Sequence, residues 1–105
     1  MEDLSYRYPT AEAAVGTRST ALVGVVASGN LEVLVERVLA PTECQIDIRT
    51  PVRGFGSAWA AVTQDFAARR AAGGLKLSVN DGGARPDTVA LRLAQAVRAI
   101  EGEAP

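Results

Sequence analysis

Short runs that alternate apolar and polar residues with a period of two constrain this chain more than any other feature. Leu4, Tyr6 and Tyr8 alternate with Ser5 and Arg7. Leu31, Val33 and Val35 alternate with Glu32, Leu34 and Glu36. Ile46 and Ile48 alternate with Gln45, Asp47 and Arg49, and Leu75, Leu77 and Val79 with Lys76, Ser78 and Asn80. Alternation of this kind is the signature of strands buried on one face only. Ala21 to Val26, apolar and rich in β-branched residues, adds a further strand. Pro9 and Pro51 stop the runs before them, and Thr10 to Thr20 reads equally as a loop or a ragged strand.

The period then changes twice. From Ser57, a candidate cap, Trp59, Val62, Phe66 and Arg69/Arg70 fall at helical spacing, and Gly73-Gly74 is expected to end that helix. Pro86 and Asp87 suit the first turn of a second helix, whose apolar stripe is Val89, Leu93, Ala96, Val97 and Ile100. Glu101 to Pro105 is expected to fray. Strands followed by helix, strand and helix predict an α+β fold: a mostly antiparallel sheet of about five strands with two helices packed on one face. A length of 105 residues fits one domain, residues 1–105, with enough chain to bury a core without disulfides or metal.

Composition narrows the chemistry. There is no histidine, one cysteine (Cys44) and one tryptophan (Trp59), and the net charge is −1. The arginines are spread from Arg7 to Arg98 rather than gathered into the basic patch that nucleic acid requires. A single cysteine excludes an internal disulfide and a cysteine-rich metal site, and Cys44 reads as a small residue at the edge of the core. The acidic start of the chain lacks the layout of a secretory signal, and no apolar stretch is long enough to span a bilayer, so a cytoplasmic protein is expected. Asp47 and Glu36 read as solvated strand residues, and Trp59 and Phe66 as core. No residue of the chain is expected to be catalytic, and no metal ligand set is seen.

Two segments remain as candidate sites. Ser28-Gly29-Asn30 lies between two strands, where a tight hairpin is the simplest connection. Ser28 has two readings: a serine chosen for turn chemistry, or an acceptor for a covalent modification that needs an exposed hydroxyl with room around it. A serine-protease role fails for want of histidine, and Lys76, the only lysine, sits in a different strand. Asn80-Asp81-Gly82-Gly83-Ala84-Arg85-Pro86 reads first as a strand-to-helix turn. Its sharper reading is a helix N-terminus that meets an anion with the help of Arg85.

The run Val26-Ala27-Ser28-Gly29-Asn30-Leu31-Glu32-Val33-Leu34 resembles the modification site of the acyl carrier subunit (delta chain) of biotin-independent malonate decarboxylase, whose pattern is Gly-Val-Val-Gly-Ser-Gly-Asp-x-Glu-Val-Leu. Ser57-Ala58-Trp59 through Phe66 looks like that family's aromatic helix. Residues Asn80 to Pro86 look like its Asp-x-Gly-Ala-x-Pro turn, and Val89 to Val97 like the helix that follows. Asn30 stands where the family commonly has Asp, and Ala27 where it commonly has Gly. The resemblance implies phosphoribosyl-dephospho-CoA joined to Ser28 by a phosphodiester, its thiol carrying acetyl and malonyl thioesters. It also implies a prosthetic-group transferase, an acyl-transferase subunit and decarboxylase subunits as partners, with neither nucleic acid nor membrane involved. Gly29, Asn30, Glu32, Asp81 and Arg85 become candidate recognition residues. Fatty-acid carriers place Asp-Ser-Leu at a helix start in a helical bundle, so a different carrier fold is expected here. The alternatives are the carrier chain of citrate lyase, a non-catalytic adaptor with unmodified Ser28 and, last, a small independent enzyme.

Overall fold

A computed structural model of the chain describes residues 1–102. Five strands and two helices follow in the order β1 (Glu2–Pro9), β2 (Thr20–Gly24), β3 (Leu31–Arg37), β4 (Glu43–Thr50), α1 (Gly56–Arg69), β5 (Leu75–Asp81) and α2 (Pro86–Glu101). The strands form one sheet in the order β1-β4-β5-β3-β2. Every neighbouring pair is antiparallel except β4 and β5, which run parallel and are joined by α1. The expected α+β architecture is what the chain adopts. Alternation alone did not announce the parallel pair; the intervening helix makes it, because parallel neighbours need a long crossover.

The period of two decides which side of the sheet is covered. Leu31, Val33, Val35, Cys44, Ile46, Ile48, Leu75, Leu77 and Val79 all point to the helix side and are buried. Each such aliphatic side chain contributes about 1.5–3 kcal/mol relative to exposure. From the helices come Trp59, Phe66, Val89, Leu93, Ala96, Val97 and Ile100, with Val62 partly buried at the edge of the same core. Helix α2 lies over β2 and β3, α1 reaches β1, and the two helices touch. Ser5, Asp47, Ser78, Lys76 and Glu36 occupy the other, polar face; Ser5 donates to Asp47 at 2.6 Å and Lys76 lies 3.9 Å from it.

Several boundaries differ from expectation for identifiable reasons. Strand β2 stops at Gly24 rather than running to Val26, because Gly24 takes φ +80° and turns the chain out of the sheet. The β2–β3 connection therefore spans residues 25–30, with Val25 and Val26 exposed, and is not a two-residue hairpin. Helix α1 begins at Gly56 with Phe55 before it and no side-chain cap, so Ser57 is not its cap. It also ends at Arg69, ahead of Gly73-Gly74, since Arg70 is already extended. Pro86 does open α2, and Gly102, at φ +77°, closes it. Glu101 is the last residue of that helix, and the rest of the tail expected to fray lies outside the described residues.

Two polar arrangements tie loops to this frame. Tyr6 donates to the Gly56 carbonyl at 2.8 Å, and the Tyr8 and buried Thr63 hydroxyls meet at 2.6 Å, pinning α1 on β1. The Arg37 guanidinium donates to the carbonyls of Ala14, Val15, Arg18 and Ile100. Those bonds hold residues 14–18 as a loop against the end of α2, where a cation also complements the helix dipole.

Candidate functional site

Within the 25–30 connection, Asn30 N–H donates to the Ala27 carbonyl at 2.9 Å. That bond closes a four-residue turn with Ser28 and Gly29 at its centre. Gly29 has φ +75°, the left-handed value that the third position of a type II turn requires. A side chain built at Gly29 would meet nothing within 4 Å, so the turn projects into open space. Ser28 is exposed. Among the described residues its hydroxyl has no hydrogen-bond partner. The structure thus places Ser28 on an exposed turn between two antiparallel strands, as the sequence predicts.

Exposed as it is, this turn is braced from beneath. Leu31 pairs with Asp81 across β3 and β5, so the Ser28 turn and the turn after β5 leave the same end of the sheet. Gly29 N–H donates to the Gly82 carbonyl at 3.1 Å, and Gly82 N–H to the Asn30 carbonyl at 2.8 Å. Gly82 is required there by closeness rather than by its backbone angle: a Cβ at this position would strike the Ala27 carbonyl oxygen. The two segments singled out from the sequence are therefore one interlocked unit.

Three side chains complete the brace. Asn30 Oδ1 accepts from Leu31 N–H at 2.8 Å and from Arg92 Nε at 3.1 Å. Arg92 also donates to Gln95 at 2.8 Å and has no carboxylate within ion-pair distance among the described residues. Asp81 is only 7% exposed. One of its oxygens accepts from the fully buried Thr50 hydroxyl and the other from Ala84 N–H, each at 2.9 Å. Two hydrogen bonds of this kind to a carboxylate hold the 81–84 turn in shape.

The candidate recognition residues thus separate. Gly29 and Asn30 belong to the Ser28 turn, with the Asn30 side-chain oxygen turned inward. Asp81 is buried beneath it, where its carboxylate supports the turn rather than facing a partner. Glu32 lies on the opposite face of the sheet and meets Asn80 at 3.4 Å. Arg85 stands exposed at the start of α2, 3.6 Å from Asp87. Sequence reading missed Arg92 and Thr50. Both carried a signal: Thr50 continues the buried phase of Cys44, Ile46 and Ile48, and Arg92 flanks the apolar stripe between Val89 and Leu93.

Of the two ionisable groups that burial disturbs most plainly, neither belongs to this turn. Burial pushes the Cys44 thiol up to about 11, and the Tyr6 phenol is raised chiefly by burial, with further contributions from Tyr8 and Glu2. Both stand on the helix-covered side of the sheet.

Fold and site together define a small α+β protein that displays one unengaged hydroxyl on a rigidly supported turn. A family model described as the malonate decarboxylase delta subunit (MdcD) matches residues 18–100. The malonate decarboxylase acyl carrier protein of Bradyrhizobium diazoefficiens is 66% identical over 100 residues, covering 95% of both chains. That of Xanthomonas axonopodis pv. citri is 52% identical over 102 residues, covering 97% of both. Among solved structures, a chain of a Pseudomonas malonate decarboxylase hetero-tetramer in complex with malonate superposes with a TM-score of 0.83 at 36% identity, covering 95% of this chain and 99% of that one. The chain belongs to the malonate decarboxylase delta subunit family, the acyl carrier proteins of that system.

Proposed function

We propose that this chain carries acetyl and malonyl thioesters for the decarboxylation of malonate to acetate and carbon dioxide, on a phosphoribosyl-dephospho-CoA group joined by a phosphodiester to Ser28. One observation carries the reading: Ser28 is the exposed, unengaged hydroxyl of a turn held by backbone bonds to Gly82, inside the stretch that the family model matches. A transferase can reach the oxygen, and the space around Gly29 accommodates a bulky substituent.

The residues present suit such a group. Arg92, which donates to Asn30 Oδ1 and has no carboxylate within ion-pair distance among the described residues, is the cation that would answer a phosphate on Ser28. When attached, the group supplies a thiol whose thioester carbonyl stabilises the carbanion left by departing carbon dioxide. The chain's own part is to hold the attachment point still, to keep it exposed, and to present Glu32, Arg85 and the Ser28 turn for recognition. Tethering raises the local concentration of the acyl group at each partner's site. The partners in this reading are an acyl-transferase subunit, decarboxylase subunits and the prosthetic-group transferase, in keeping with the hetero-tetrameric assembly of the Pseudomonas protein.

Intact-mass measurement on the chain isolated from malonate-grown cells tests the reading. An adduct of CoA-derived size localised to Ser28 is expected. Ser28→Ala is expected to fold normally, to carry no adduct and to abolish malonate decarboxylation by the reconstituted complex. An Ala variant that turns malonate over at the normal rate refutes the carrier role, and an unmodified Ser28 in the functioning complex makes the chain an adaptor.

A further inference from the structure

Beside the Ser28 turn, the helix-covered side of the sheet opens into a groove of about 370 Å³ walled by Val52, Phe55, Ala58, Trp59, Val62 and Val89. Its place in the fold is distinctive. The parallel strands β4 and β5 both end beneath it, at Thr50 and Asp81, and ligands of open α/β sheets bind beyond the carboxyl ends of such strands. Its size lies at the lower end of the range for small-molecule sites.

The groove is also within reach of the attachment turn. Asp81 and Gly83 line it, and the residue between them, Gly82, is the one bonded to Gly29 and Asn30. Ser28 therefore sits on the turn that is bonded to the residue between two of the groove's lining residues. The chemistry of the lining is selective. Thr50 and Ala84 N–H already engage the Asp81 carboxylate at the floor, while the walls are aliphatic and aromatic. A small neutral acyl group or a thiol suits that surface. A second carboxylate does not, because it would lose water next to a like charge.

We propose that this groove receives the end of the Ser28-linked arm when it bears acetyl or a free thiol, and turns it away when it bears malonyl. The inference rests on the carrier reading above. It gives the carrier two displays: the product form lies against its own protein, and the form that must meet the decarboxylase stands clear.

The test compares the apo chain with acetyl- and malonyl-loaded chains, each verified by intact mass. Trp59 is the only tryptophan, so its emission reports on this groove, and methyl NMR of Val52, Ala58, Val62 and Val89 maps the same walls. The acetyl form is expected to shift Trp59 emission and these methyl signals, with the malonyl form matching apo. Ala58→Phe, which fills the groove, and Val52→Asp, which charges its mouth, are each expected to remove the acetyl-specific shift. A loaded acetyl chain with apo-like signals overturns the proposal, as does a malonyl chain that shifts them equally. A chain with no adduct on Ser28 overturns the carrier reading itself, and the mass measurement tells the two failures apart.

Discussion

Gly82→Ala tests the interlock beneath Ser28 directly. The added Cβ would strike the Ala27 carbonyl oxygen, with the Ala27 carbonyl carbon at 2.8 Å and the Asn30 carbonyl oxygen at 2.9 Å. These are backbone atoms and cannot swing aside as a side chain would. The Ser28 turn must therefore lift away from β5, which breaks the Gly29-to-Gly82 and Gly82-to-Asn30 hydrogen bonds. Each is worth about 0.5–1.5 kcal/mol net, so the loss is about 1–3 kcal/mol. Stiffening of the unfolded chain returns about 0.4–1 kcal/mol. The balance is a destabilisation of up to about 2.6 kcal/mol, centred on ~1.3 kcal/mol, and each kcal/mol lowers the melting midpoint by roughly 4–8 °C at this chain length.

Gly29→Ala separates contact from conformation. Its Cβ meets nothing, but φ +75° forces the new residue into the left-handed region at a cost of about 1–2 kcal/mol. Chemical denaturation measures both losses, and amide exchange distinguishes their origins. In Gly82→Ala the Gly29 amide should exchange far faster while the β4 and β5 amides stay protected, and modification of Ser28 should slow. Unchanged protection of the Gly29 amide would show that the two turns do not depend on one another.

Three further outcomes are expected. Phe66→Ala removes a side chain that is 6% exposed between α1 and the sheet, and should cost about 3–5 kcal/mol in chemical denaturation; near-normal stability would mean that α1 presents another face. Cys44 should ionise near 9 when unfolded and near 11 when folded, so its contribution, about 3 kcal/mol, is fully present below pH 9 and is lost as pH rises through about 11. Denaturation between these pH values should show that fall and Cys44→Ala should lessen it; an unchanged slope in the variant refutes the assignment. Asn30→Asp keeps the acceptor for Arg92 and adds a charge, so stability should rise by about 0.5–1 kcal/mol at neutral pH and the gain should vanish on acidification, with no gain at neutral pH contradicting the Asn30–Arg92 contact.

What the sequence disclosed depended on whether one segment carried its own signal. The strands were legible because the alternation of Leu31, Val33 and Val35, or of Leu75, Leu77 and Val79, reports a single buried face without reference to any partner. The face of α2 was legible in the same way. Pairing was not: nothing local to Ile46 or Leu77 says that β4 and β5 run parallel, since direction depends on the path of α1 between them. Val25 and Val26 look like strand and are not, because one glycine at position 24 outweighs their β propensity. Asp81 was visible as a notable residue but its burial was not, since that depends on Thr50, in a strand 31 residues earlier in the chain.

The site repeats that division at a smaller scale. Ser28 stood out because turn residues interrupt two apolar runs, a local pattern. The parts that steady it come from elsewhere: Gly82 after β5, Arg92 within α2, Thr50 at the end of β4. None of these contacts uses the Ser28 hydroxyl, so support and display fall on different atoms. A substitution at Ser28 itself should therefore remove the attachment point at little cost to folding, whereas one at Gly82 should leave the hydroxyl present and move it. That separation lets an exposed turn serve as a fixed anchor. The arm can move between partners while the oxygen that holds it remains tied, through backbone bonds, to the end of a buried strand.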